Sequence, residues 1–258
     1  STGAGKSVMF QIPALYLYEK CEADVPLTLV ISPLIGLMND QVTSMKQKGI
    51  YIAETINGNT SPFERENIVK RIVSGEVHIL YLSPETLLSK SDIKLLIGER
   101  RIGTLIVDEA HIVTTWGKSF RADYWYLGIY LSKLRKVNKF PIVTFTATAI
   151  YGGKEDMYVD TRNSLNLINP ISYFGIVRRD DILMKVRSSV EEFKEEGRDY
   201  RKTKNGLALK HLKDAYNKKQ KSLIYFPTVS LLIKFYQLVL INEPIIGDKK
   251  SDRSHVVL

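Results

Sequence analysis

Leu105-Ile106-Val107-Asp108-Glu109-Ala110-His111 joins an apolar run to two adjacent carboxylates and a histidine. The run reads as a strand buried on both faces, and the acids fall where that strand ends. About a hundred residues earlier the chain opens with Ser1-Thr2-Gly3-Ala4-Gly5-Lys6-Ser7. Either stretch alone means little: an acidic pair starting a helix is favoured by the helix dipole, and Gly-Lys-Ser occurs by chance. In this order, with a strand directly before the acids, they form the two halves of a nucleoside triphosphatase site and point to ATP with Mg²⁺ as ligands.

Each residue of the opening loop has a task that its chemistry fits. Thr2, Gly3, Ala4 and Gly5 are small, so backbone N–H groups can curl around phosphate oxygens. A helix beginning near Lys6 points its positive end at the anion. Lys6 reaches the β- and γ-phosphates, and the Ser7 hydroxyl ligates the metal. Asp108 is the second metal-holding group, and Glu109 is the base for an attacking water. The first glycine of the pattern G-x-x-x-x-G-K-[ST] falls just before Ser1, and the strand that feeds such a loop is missing. The expectation is therefore a chain that starts inside its motif.

The 258 residues suffice for one large or two modest domains. Hydrophobic residues at 44% and charged residues at 25% are globular values and exclude a low-complexity or fibrous chain. No apolar stretch approaches a membrane span and no signal peptide is visible, so no membrane partner is expected. Cys21 is the single cysteine, which excludes a disulfide framework and a cysteine-rich zinc site and favours a reducing, intracellular compartment. The net charge of +9 suits a polyanionic partner, and +6 of it lies between 178 and 221, where 14 Lys/Arg face 8 Asp/Glu. A solvated helix face is the commoner meaning of such a run, with direct nucleic-acid contact as its alternative.

Strand-like runs recur at Leu27–Ile31, Val77–Leu82, Leu105–Val107 and Ile142–Phe145. Helical stretches alternate with them over 5–20, 37–48, 62–74 and 124–138. Tyr51–Ile56 reads as a strand with a turn at Asn57-Gly58-Asn59. Alternating buried strands and helices predict an α/β fold with a parallel sheet covered on both faces. The rhythm breaks after Thr148. Residues 151–170 read as a transition between domains. A new strand is expected at Ser222–Phe226, and a helix over Leu231–Leu240, in a second domain cut short.

Five further segments carry a resemblance. Ile31-Ser32-Pro33-Leu34-Ile35-Gly36-Leu37-Met38-Asn39-Asp40-Gln41-Val42 resembles motif Ia of the RecQ-type superfamily 2 DNA helicases. Tyr81-Leu82-Ser83-Pro84-Glu85-Thr86-Leu87-Leu88 is similar to their motif Ib, Phe145-Thr146-Ala147-Thr148-Ala149 to motif III, and 222–228 to motif IV. The run from His111 to Tyr124, with Trp116, Phe120 and Arg121, resembles the aromatic-rich loop that follows the acidic motif in that family.

The resemblance implies a RecA-like P-loop NTPase domain over 1–150, a transition over 151–170, and part of a second RecA-like domain over 171–258. It implies an ATP-dependent DNA helicase or translocase acting on single-stranded or partly duplex DNA. Ser32, Pro33, Ser83 and Pro84 stand at strand ends, where hydroxyls and backbone N–H groups can meet phosphates without reading bases. Trp116 and Phe120 can stack on unpaired bases, and Arg121 can pair with phosphate or stack. Core packing is the ordinary fate of large aromatics, and Tyr124, Trp125 and Tyr126 read as helix packing. By resemblance, His111 with Thr146 and Thr148 would link nucleotide state to DNA grip, whereas a plain structural histidine is the other reading. The family's arginine finger lies beyond this chain's motifs, so the isolated chain is expected to hydrolyse ATP poorly. A nucleic-acid-binding P-loop module without motor activity and a related RNA helicase are the competing readings.

Overall fold

A computed structural model describes residues 5–21, 24–89, 93–113, 122–137, 139–147, 152, 156–175, 182–183 and 200–243, without the side chains of 122–125, 137 and 200–203. The chain divides into two compact units, Ser1–Arg179 and Asp180–Leu258.

The first unit is built on β1 (Leu27–Ile31), β2 (Ala53–Ile56), β3 (Ile79–Leu82), β4 (Ile102–Val107) and β5 (Ile142–Thr144). They form one sheet in the order β2-β3-β1-β4-β5, and every pairing is parallel. β1 lies at the centre, and all five of its residues are buried, as expected for a strand covered on both faces.

Alternate residues feed two cores. Leu27, Leu29 and Ile31 join Leu80, Leu82, Leu105 and Val107 on one face. Val30, Ile79, Tyr81 and Ile106 serve the other. The second face is covered by α1 (Val8–Lys20) and α2 (Ile35–Gln47), through Phe10, Ala14, Met38, Val42 and Met45. The first is covered by α3 (Pro62–Val73) and α6 (Ala122–Val137), through Ile68, Ile72, Leu127 and Leu131. Two short helices, α4 (Pro84–Leu88) and α5 (Lys94–Ile97), complete that layer. Proline at the first position helps both α3 and α4 to start, and Ser61 and Ser83 cap them by accepting from Glu64 N and Thr86 N.

The first unit runs past the point where the strand–helix rhythm stops. α7 (Met157–Ser164), expected in an interdomain transition, is followed by Leu165, which is buried in the first face's core. Gly128 of α6 permits this: a Cβ there would lie 1.7 Å from the Ser164 carbonyl oxygen. Tyr126, expected to pack, is 57% exposed.

The second unit contains α8 (Tyr200–Asn217) and α9 (Val229–Asn242). The strand expected at 222–226 is not formed: these residues belong to no ladder. An extended segment becomes a strand only against a partner, and it has none among the described residues. Its alternation still sorts the side chains. Leu223 and Tyr225 are exposed, whereas Ile224 and Phe226 pack against Phe235 and Val239 of α9. The described lysines of the basic run, from Lys204 to Lys221, lie on exposed surface.

Candidate active site

In a parallel sheet all carboxyl ends share one edge. Chain order reverses outward from β1 to β2 and then resumes at β4, so β1 and β4 flank the crevice where ligands of such sheets bind. The Asp108 N–H donates to the Ile31 carbonyl at 2.9 Å, tying the two strand ends together at that crevice.

After Val107 the backbone turns sharply. Glu109 adopts φ +48°, a left-handed conformation that is costly for a side chain of its size. Two bonds hold it there: Ala110 N–H donates to the Phe145 carbonyl at 2.9 Å, and Ile112 N–H to the Glu109 carbonyl at 3.0 Å. The carboxylate thereby faces the start of α1. Glu109 Oε1 lies 3.8 Å from Lys6 Nζ, and Glu109 Oε2 lies 3.2 Å from His111 Nδ1.

Lys6 comes from the turn that opens α1. Gly5 has φ +73°, and a Cβ there would meet nothing within 4 Å, so backbone conformation rather than crowding calls for glycine. Ser7 precedes the first helical residue, and its side chain makes no capping hydrogen bond. Its hydroxyl and the positive end of a 13-residue helix therefore lie beside Lys6.

The two adjacent carboxyls are driven apart in acidity. Burial is the main force raising Asp108 above the ordinary carboxylate range, only partly offset by the hydrogen bond from Glu109 N–H. Glu109 is lowered chiefly by its hydrogen bond with His111, with Lys6 adding attraction. Among the described residues no cation pairs with Asp108 within ion-pair distance.

His111 Nδ1 also lies 2.9 Å from Thr146 Oγ1, just beyond the end of β5. One ring nitrogen thus serves partners on two strand ends. With a proton on Nδ1 it donates to Glu109; without one it can accept from the Thr146 hydroxyl.

A second cleft on the same edge lies over the ends of β1, β2 and β3. Its lining includes Pro33, Asn57, Thr60, Arg65, Ser83 and Thr86. Ser32 and Ser83 are buried, and Ser83 Oγ accepts from Thr86 N–H at 3.3 Å and lies 2.9 Å from Thr86 Oγ1. Its hydroxyl is thus already engaged in helix capping. Among the described residues the cleft's cation is Arg65, whose Nη2 is buried and has no hydrogen-bond partner there. Sequence reading passed over Arg65, because one arginine on a charged amphipathic helix carries no signal; the unsatisfied nitrogen is visible only in three dimensions. Thr2, Gly3, Ala4, Thr148, Trp116, Phe120 and Arg121 lie outside the described residues.

The sequence profile of the DEAD/DEAH box helicases matches residues 1–156. An ATP-dependent DNA helicase RecQ of Haemophilus influenzae is 36% identical over 182 residues, covering 70% of this chain and 27% of that protein. A protein of the same name from Synechocystis is 33% identical over 238 residues, covering 92% of this chain and 45% of its own length. The chain thus spans less than half of either relative. Among solved structures, a DUF1998 helicase MrfA bound to DNA and AMPPNP superposes with a TM-score of 0.59 at 18% identity, covering 94% of this chain and 33% of that one. At such identity the likeness speaks for the fold, which is the RecA-like α/β arrangement.

Proposed function

The chain belongs to the DEAD/DEAH box helicase family, and on that premise we propose that it is the nucleotide-binding part of an ATP-dependent DNA helicase of RecQ type. The observation that carries the proposal is the Lys6–Glu109 approach of 3.8 Å at the crevice between β1 and β4. It joins a phosphate-binding ammonium to a base candidate beside Asp108, a half-buried carboxylate with no cation in ion-pair distance among the described residues. The names of the relatives, both ATP-dependent DNA helicases, support the substrate.

The chain's residues divide the work as follows. Backbone N–H groups of Thr2, Gly3, Ala4 and Gly5 and the end of α1 receive the phosphates. Lys6 contacts the β- and γ-phosphates, and Glu109 accepts the proton of the attacking water. Lys6 cannot serve both phosphate and Glu109 at full strength. A bound phosphate that draws the ammonium away removes one of the charges holding Glu109 down, and so makes it a better base when substrate is present.

Ser7 and Asp108 fit magnesium. Asp108 is a carboxylate raised by burial, an effect that the nearby Lys6 and His111 only partly offset, and among the described residues no cation lies in ion-pair distance of it. No group of three or more His, Cys, Asp or Glu poised for a metal occurs among the described residues, and magnesium held by one carboxylate plus phosphate oxygens needs none. When bound, the ion supplies neutralisation of phosphate charge.

His111 would pass the state of Glu109 to Thr146, and Thr148 lies two residues further along the same segment. Nucleic acid would run over the β1–β3 ends, past Ser32, Pro33, Ser83 and Pro84, with Arg65 as the cation for backbone phosphate. Trp116, Phe120 and Arg121 would supply the stacking surfaces. No described helix is long and apolar enough to cross a membrane, and an intracellular site of action completes the proposal.

The test is steady-state ATP hydrolysis by the intact protein with single-stranded DNA, with single-stranded RNA and with neither. Stimulation by DNA is expected. Stimulation by RNA alone would assign a related RNA helicase, and nucleotide binding without hydrolysis would assign a binding module.

A further inference from the structure

The opposite edge of the sheet carries a different kind of site. Where Phe140 and Pro141 lead into β5, the C-terminal ends of α6 and α7 converge on a cleft of about 960 Å³, within the size range of ligand pockets. Among the described residues its lining holds four cations, Arg135, Lys136, Lys139 and Arg162, and no aspartate or glutamate. Among the described residues none of the four is in an ion pair.

Lysine and arginine in the last turn of a helix have an ordinary explanation, since they offset the negative end of the dipole. Here the numbers decide against it as the whole account. Two helix ends contribute roughly −0.5 charge each, about one unit together, and four cations leave about three in excess.

Apolar groups share the cleft with those charges: Phe140, Pro141, Leu167 and Ile168. Ile168 is 83% exposed, whereas Phe140, the cleft's aromatic residue, is only 4% exposed. That combination separates the candidate occupants. Phosphate backbone would satisfy the cations, but single-strand grips pair phosphate contacts with open aromatic faces for the bases, and the described lining has none. Phosphate alone, from a single strand or a duplex, leaves the apolar half of the lining unmet. A peptide that sets carboxylates beside aliphatic or aromatic side chains meets both halves of the lining.

From this juxtaposition of a four-cation rim with an apolar floor we infer that the amino-terminal edge of the sheet, near β5, is a docking site for a short acidic, amphipathic segment of another protein. The site lies across the sheet from Lys6 and Glu109, so occupancy leaves the nucleotide crevice open. It does not depend on the reading of that crevice.

The probe is a fluorescent ten-residue peptide alternating Asp with Phe and Ile, titrated by anisotropy against the intact protein. Binding is expected, weakening as salt rises. A double reversal of exposed residues, Lys139→Glu with Arg162→Glu, should weaken it by about tenfold, the equivalent of about 1.4 kcal/mol. Nucleotide affinity and melting temperature should stay as they were. Ile168→Asp should weaken binding independently, and an all-Asp peptide should bind less well than the mixed one. Equal binding by wild type and the double reversal would overturn the proposal. So would displacement of the peptide by a single-stranded oligonucleotide whose own affinity falls in the double reversal, because the cleft would then be a nucleic-acid site.

Discussion

Lys6 Nζ lies 3.8 Å from Glu109 Oε1, and Glu109 is the lowered member of a carboxyl pair whose other member, Asp108, is raised. The crevice therefore holds one carboxylate matched to cations and one that burial has left mismatched. Sites built to receive a ligand carry such mismatches, and the empty protein is less stable for them.

Asp108→Asn tests that cost. A carboxyl whose pKa is raised by folding destabilises the native state once pH exceeds its unfolded value of about 3.9. At pH 7 the charged form is half-buried at a loss, and asparagine keeps the acceptor for Glu109 N–H. The nucleotide-free variant should gain about 0.5–2 kcal/mol of stability. Its melting temperature should rise by about 2–4 °C per kcal/mol, while stabilisation by nucleotide with magnesium disappears. A lower melting temperature without ligand would contradict the account.

Acid sensitivity should trace to His78. It is 4% exposed, and the Arg100 guanidinium lies 3.3 Å from its Nδ1 while also donating to Ile72 O at 2.7 Å and Val25 O at 2.8 Å. Burial first, and the Arg100 charge second, hold the imidazole below its usual pKa. The folded state thus favours neutral His78, so its contribution is complete above the unfolded value of about 6.5 and is lost as pH falls below it. Thermal melts of wild type and His78→Gln between pH 7.5 and 5 should diverge, with the variant flatter. Parallel curves would show that another group sets the acid limb.

Gly128→Ala should be strongly destabilising despite alanine's better helix propensity. The added methyl would sit 1.7 Å from the Ser164 carbonyl oxygen, so α6 and α7 must separate. Overpacking of this kind costs about 1–3 kcal/mol or more. A denaturant midpoint equal to wild type would mean that α7 docks without that close approach.

The fold was legible where burial is two-sided. Leu27–Ile31 and Leu105–Val107 read as strands because central parallel strands are apolar at every position. The segment 222–226 shows the same pattern without a ladder, because pairing is a property of the partner and not of the residues. The docking of 157–165 on the first unit was hidden for a similar reason: it rests on Gly128, whose role depends on a carbonyl 36 residues away. In the crevice, residue types and spacing picked out Lys6 and Glu109, the family resemblance added His111 and Thr146, and the four lie together in space. Arg65 escaped because its meaning is an unmet hydrogen bond, and the capping role of Ser83 escaped because its partner is a local N–H.

Arg65→Ala distinguishes a phosphate contact from a structural arginine. Because the buried Nη2 has no partner, its removal should leave the melting temperature unchanged or higher. If it meets one backbone phosphate, affinity for single strands should fall similarly for all sequences. The slope of log affinity against log salt should then shrink by about 0.7. Lost stability with an unchanged salt slope would make Arg65 structural.

The central claim is that Lys6 and Glu109 share one reaction crevice while doing different things, and paired variants of the intact protein test it most directly. Nucleotide affinity and single-turnover ATP hydrolysis should be measured for Lys6→Ala and Glu109→Gln side by side. Lys6→Ala should lose both, because a direct phosphate contact is gone. Glu109→Gln should bind nucleotide near the wild-type level while hydrolysis falls by about 10²–10⁴-fold, the span of a lost general base. Near-normal hydrolysis by Glu109→Gln would contradict the account.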